Sequence, residues 1–198
     1  FIGMLFISGI RLRLIRIIAT VGVFLMPLAW FILKDYQKKR ILVFMNPDID
    51  PFGSGYHIIQ SKIAIGSGTI FGKGLFNGTQ SQLNFLPENH TDFIFSVIGE
   101  ELGFIGCIIV LILLFMLIYR SIKVAYTCND RFGMLLATGI GSMLCFEVLV
   151  NAGMTMGIMP VTGIPLPFIS YGVSALTTNM ISIGILLNIS MQRTKYIF

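Results

Sequence analysis

The sequence predicts an all-α, polytopic helical membrane protein with a long, partly helical extracytoplasmic loop. Three observations carry this. Hydrophobic residues make up 55% of the 198-residue chain and charged ones 12%, with a mean hydropathy of +0.86. That is more apolar surface than a water-soluble globule of this size can bury. Apolar runs cover residues 15–33, 93–119, 134–159 and 168–189, each meeting the roughly 20-residue length of a bilayer-crossing helix. Basic residues gather at one end of each run, the asymmetry that sets orientation.

Residues 1–10 are apolar but too short to cross, and they start without Met. They read as the end of an earlier helix, and the chain as the C-terminal half of a larger polytopic protein. Arg11, Arg13 and Arg16 flank the first span; Arg120, Lys123 and Arg131 lie around the short connection after the second; Arg193 and Lys195 follow the last. These groups share one face, the cytoplasmic one. The six basic residues of loop 34–92 are diluted by its length, which puts that loop outside. The net charge of +5 suits anionic lipid headgroups and gives no argument for nucleic acid. Cys107, Cys128 and Cys145 are odd in number and lack a pairable spacing, against both disulfides and a cysteine metal site.

A structureless loop of this length would be unusual. Residues 56–65 place apolar side chains at helical spacing and are too short to span, so they predict an interfacial or re-entrant helix ended by Gly66-Ser67-Gly68. Residues 69–84, with Gly72, Gly74, Gly78 and several amides, predict a folded-over polar hairpin at the membrane surface. Gly68 to Gly74 falls one residue short of a phosphate-binding loop and has Gly74 where Ser or Thr would hold magnesium, which rejects a nucleotide site. Pro160, Pro165 and Pro167 break the chain between the last two spans.

Asp92 is the most informative single residue, a carboxylate where the polar loop enters an apolar helix. Read without a family, it is foremost a helix N-cap, since Asp caps well and its charge suits the positive end of a helix. Glu100 and Glu101 lie inside the second apolar run, where lipid cannot host both, so a structural ion pair or cavity wall is expected. Glu147 sits in the middle of the third and follows the same rule.

Lys34-Asp35-Tyr36-Gln37, Asn46-Pro47, the run from Gly55 to Gly68, the segment Leu86-Pro87-Glu88-Asn89-His90-Thr91-Asp92 and the run from Pro160 to Gly172 together closely resemble the SEDS family of bacterial wall polymerases, which comprises the RodA and FtsW proteins. The likeness covers nearly the whole chain. Gly78-Thr79-Gln80-Ser81-Gln82-Leu83 resembles the elongation branch, RodA, more than its division relative FtsW. Where the family often reads Tyr-Gly-Gly-Ser, this chain has Tyr171-Gly172-Val173-Ser174.

The resemblance implies a peptidoglycan glycosyltransferase of the bacterial cytoplasmic (inner) membrane that polymerises lipid II, with Asp92 as the essential acidic residue. As general base, Asp92 would take the proton of the acceptor hydroxyl. Lys62 and Lys73 are the loop cations placed to meet a diphosphate leaving group, although each is equally a solvated lysine. Glu88, His90 and Thr91 flank the base and are candidates for contacting sugar or a cation. Gln80, Gln82 and Asn84 suit sugar hydroxyls; Thr162, Ser170 and Tyr171 bring further hydroxyls to the same face. A divalent cation, magnesium or manganese, would balance pyrophosphate, yet no ligand cluster in the sequence predicts one. The implied partners are a class B penicillin-binding transpeptidase and other membrane proteins of rod elongation. Two other readings stay open: a transporter that flips lipid II, given proline-broken spans and buried acids, and a noncatalytic scaffold for wall enzymes.

Overall fold

The computed structural model describes residues 2–9, 12–51, 53–83, 85–88 and 90–192, and all regular structure among them is helical. Arg11, Asn84, Asn89, Arg193 and Lys195, named above, lie outside the described residues. The order is α1 (Ile2–Ile7), α2 (Leu12–Ile32), α3 (Asp35–Met45), a short 3-10 turn (Pro47–Ile49), α4 (Ser54–Ser67), α5 (Thr79–Gln82), α6 (Ile94–Thr127), α7 (Arg131–Thr155) and α8 (Val173–Gln192). Among the described residues, α6, α7 and α8 are long and apolar enough to cross a membrane. The helix α2, at the place of the first predicted span, has 21 residues with Pro27 inside.

The core is the α6–α7 seam. Leu114, Ile118 and Ala125 of α6 pack with Ala137, Ile140, Leu144, Val148 and Ala152 of α7, and Leu186 of α8 closes the cluster. Gly141 brings the two backbones together, since a Cβ there would stand 3.1 Å from Ser121 Cβ. Small residues at such seams let helices approach where lipid supplies no hydrophobic drive. Asp130 starts α7 as its N-cap, its carboxylate accepting from Gly133 N at 2.9 Å. The helix stops at Thr155, earlier than the apolar run implied, because Gly157 turns left-handed at φ +70° and Ile158 N donates back to Gly153 O at 2.8 Å. Irregular chain then continues to Gly172, so α8 starts five residues later than residue 168.

The long loop folds back on the helices. The expected helix over 56–65 lies within α4, which ends at Ser67 with Gly68 as its cap. Ser61 fastens α4 inward: its hydroxyl shares a 2.6 Å bond with Ser96 of α6 and donates to Thr155 O of α7 at 2.6 Å. All three residues are buried.

The least expected feature is a break in α6. Gly103 has φ +67° and ψ −164°, a conformation open essentially to glycine alone. The carbonyls and amides freed there pair with the loop. Lys73 N and Gly74 N donate to Glu100 O and Glu101 O, each at 3.0 Å; Phe104 N and Ile105 N donate to Thr69 O at 3.0 Å and Ile70 O at 3.2 Å. Residues 69–74 are thereby spliced into the helix. The hairpin predicted over 69–84 as a polar surface element is instead docked into α6, with Ile70, Phe71, Leu75 and Phe76 outward.

Candidate active site

Asp92 sits two residues ahead of α6, but its carboxylate does not cap that helix. Phe93 holds the N-cap position, and no side-chain cap bond forms. The segment carrying Asp92 is instead strapped to the proline-rich stretch 160–171. Ser170 Oγ donates to Thr91 O at 2.7 Å and accepts from Leu166 N at 2.7 Å, while Tyr171 N donates to His90 O at 2.8 Å. Asn151, fully buried on α7, donates from Nδ2 to both Asp92 O at 3.0 Å and Ile164 O at 2.8 Å. One amide thus fixes the backbone of the acid and of the loop facing it.

The carboxylate is left partly open and has glycine for a neighbour. A Cβ at Gly163 would stand 3.2 Å from Asp92 Oδ2, and Gly163 holds φ +74°. Burial raises the pKa of Asp92 above the ordinary aspartate range and the Glu88 charge raises it further; the Arg40 guanidinium and the Thr91 hydroxyl oppose them. Arg40 arrives from α3 and donates from Nη1 to Val161 O at 3.3 Å. It reaches the same proline-rich stretch that Asn151 holds.

The other candidates separate into groups. Glu88, at φ +54°, accepts from Thr91 Oγ1 at 3.1 Å. His90 and Tyr171 line a hollow of about 580 Å³ with Ile94, Phe168 and Leu176; Asp92 is not among its lining residues. Thr162 is exposed beside Gly163. Ser170 is buried and serves as a strap. Lys62 is exposed on α4 with its side-chain end against Gly157 at the close of α7, and makes no ion pair among the described residues. Lys73 is committed elsewhere: its Nζ lies 3.0 Å from Glu100 Oε1 and 2.8 Å from Thr79 Oγ1. Glu100 is fully buried and also accepts from Gln80 N at 2.9 Å and Ser81 N at 3.1 Å. It is therefore a structural hub, with Gln80 held through its backbone and Gln82 exposed beside it.

Asp92 and Glu88 supply two neighbouring carboxylates, and among the described residues no group of three His, Cys, Asp or Glu could hold a metal ion. The three cysteines are free thiols. Val173 opens α8 and Gly172 has no positive φ, so the missing second glycine costs this backbone nothing. Glu147, one turn before Asn151, keeps a buried Oε2 without a hydrogen-bond partner among the described residues. Arg40, Asn151 and Gly163 escaped the reading of the sequence. The only signal for Arg40 was its place in the basic run Lys38-Lys39-Arg40.

Residues 1–195 match the family of FtsW, RodA and SpoVE, described as cell cycle protein. The chain belongs to that family. Among FtsW/RodA/SpoVE relatives, it is 50% identical over 190 residues to the peptidoglycan glycosyltransferase MrdB of Escherichia coli, covering 96% of this chain and 51% of that protein. It is 47% identical over 189 residues to the probable peptidoglycan glycosyltransferase FtsW of Trichlorobacter lovleyi, covering 94% of this chain and 49% of that protein. The chain thus spans about half the length of these curated relatives. A solved structure described as structural coordination of polymerization and crosslinking by a peptidoglycan synthase complex superposes with a TM-score of 0.75 at 32% identity, over 98% of this chain and 53% of that one.

Proposed function

We propose that this chain forms the C-terminal part of a peptidoglycan polymerase that joins lipid II disaccharides into glycan strands, with Asp92 as general base. The observation that carries the reading is the half-open Asp92 carboxylate, pinned through its backbone by Asn151 and facing Gly163. In the reaction the 4-hydroxyl of an incoming GlcNAc attacks the anomeric carbon of the growing strand. Its proton passes to Asp92, the bond to the lipid pyrophosphate breaks, and a β-1,4 linkage forms with inversion. A carboxylate with a raised pKa is a better proton acceptor than an ordinary one once ionised. Arg40 and the unpaired Lys62 supply positive charge for the leaving diphosphate. Lys73 contributes through Glu100 to the shape of the loop.

Support for the activity comes from the names of the relatives, peptidoglycan glycosyltransferase. The likeness of residues 78–83 to the elongation branch favours a role in rod-shape maintenance. The solved relative that couples polymerisation to crosslinking favours a class B penicillin-binding transpeptidase as partner, in the bacterial cytoplasmic membrane with the loop 34–92 outside.

The test is glycan assembly in detergent from purified lipid II by the full-length protein, with its partner's transpeptidase site disabled. Polymer from the parent protein and none from a folded Asp92→Asn variant supports the reading. Detergent removes the second compartment that flipping requires, so an absence of polymer from the parent favours a transporter. Full activity of Asp92→Asn rejects the general base.

A further inference from the structure

We infer that residues 69–76 form a wedge embedded in the bilayer, with Ile70, Phe71, Leu75 and Phe76 among the acyl chains of the leaflet on the side of the long loop. Four independent features point there, and none depends on the proposed reaction.

The first is depth. Arg120 is the first charge met on α6 after the unbroken apolar run from Phe104. About 20 residues of helix at roughly 1.5 Å each span the roughly 30 Å hydrocarbon layer. Counted from Arg120, that length ends near Glu100, which leaves Gly103 and the loop docked on it inside the hydrocarbon. The second is backbone chemistry. Irregular chain survives at membrane depth only where its polar groups are satisfied. Here the amides of Lys73 and Gly74 and the carbonyls of Thr69 and Ile70 are taken up by the opened turn of α6.

The third is charge. Lys73 is the one charged residue between Gly66 and Pro87, and its ammonium is turned inward onto the buried Glu100. The segment offers no outward charge of its own. The fourth is its surface: Phe71 and Phe76 are each 79% exposed, Leu75 62% and Ile70 58%. A contiguous apolar face of this kind marks a contact with lipid or protein. Its register with the spanning part of α6 selects lipid.

Phe71→Trp and Phe76→Trp, made separately in the full-length protein and reconstituted in phosphatidylcholine vesicles, test this. The fluorescence of the added Trp is read by difference from the parent protein. The expected result at both positions is blue-shifted emission and loss of the added signal in vesicles brominated near the headgroup end of the acyl chains, with iodide in the buffer causing no loss. Quenching by iodide at either position, which means water, overturns the inference. So does insensitivity to both quenchers, which means another segment or protein covers the face. Substituting Phe by Trp at positions this exposed leaves the docked backbone untouched, and Leu75→Trp reads the same face should either variant fail to accumulate.

Discussion

A carboxylate accepts a proton only when ionised, and at Asp92 burial and Glu88 resist ionisation while Arg40 and Thr91 favour it. The sign of each pH effect follows. With Asp92 as the proposed base, its raised folded pKa puts the acid limb of the polymerisation rate above the ordinary aspartate range, and activity is lost as pH falls through it. Glu88→Gln removes an influence that raises the pKa and moves the limb to lower pH; Arg40→Gln removes one that lowers it and moves the limb up. Rate profiles of the three proteins against pH check both directions. Asp92→Asn lowers the rate by about 10²–10⁴-fold, the usual worth of a general base. Asn151→Ala strands two backbone carbonyls and costs about 2–3 kcal/mol, read as a lower unfolding midpoint. On the proposed mechanism its turnover falls more than its substrate affinity, since Asn151 holds the backbone of Asp92.

Two glycines and one cap decide where helices stop and start. At Gly103 an added Cβ would meet Gly72 N and stand 2.7 Å from Ile70 O, and φ is already +67°. Gly103→Ala costs at least about 3 kcal/mol, strain and clash together, and its thermal unfolding in detergent shifts down accordingly. Asp130→Ala, which removes the N-cap bond of α7 without disturbing the core, costs about 1 kcal/mol in the same measurement. Hydropathy located these helices because each presents an apolar run of bilayer length. It was silent on the break in α6, since glycine is common in spanning helices and the segment that repairs the break lies some thirty positions upstream. It also misjudged the finish of α7 and the start of α8, where Gly157, Gly163 and Phe168 adopt positive φ inside an otherwise apolar stretch.

At the scale of the whole molecule, the buried Glu100 and Lys73 tie the loop to the helical core. Removing one partner of such a pair leaves an uncompensated charge, so Lys73→Met destabilises by about 3 kcal/mol or more. The double variant with Glu100→Gln recovers part of that loss, and unfolding midpoints of the singles and the double measure the coupling. The all-helical class and the spans at α6, α7 and α8 were legible because they depend on composition and on apolar runs of bilayer length. The surroundings of Asp92 were not. Asn151 stands 59 residues from it in sequence, and Arg40 and Gly163 come from opposite sides of the chain. Only the fold brings α3, α7 and the proline-rich stretch to one aspartate, and no local pattern encodes that meeting.

The spliced turn at Gly103 also sets how the molecule breathes. Amides of Phe104 and Ile105 follow directly on the break at Gly103, where in a simple break with no acceptor they would trade deuterium quickly. Bonded to Thr69 and Ile70, they open only when the loop lifts away. Their exchange therefore keeps time with the loop and not with fraying of the span, and slow, matched rates at these two amides and at Lys73 and Gly74 would mark the four as a single cooperative latch.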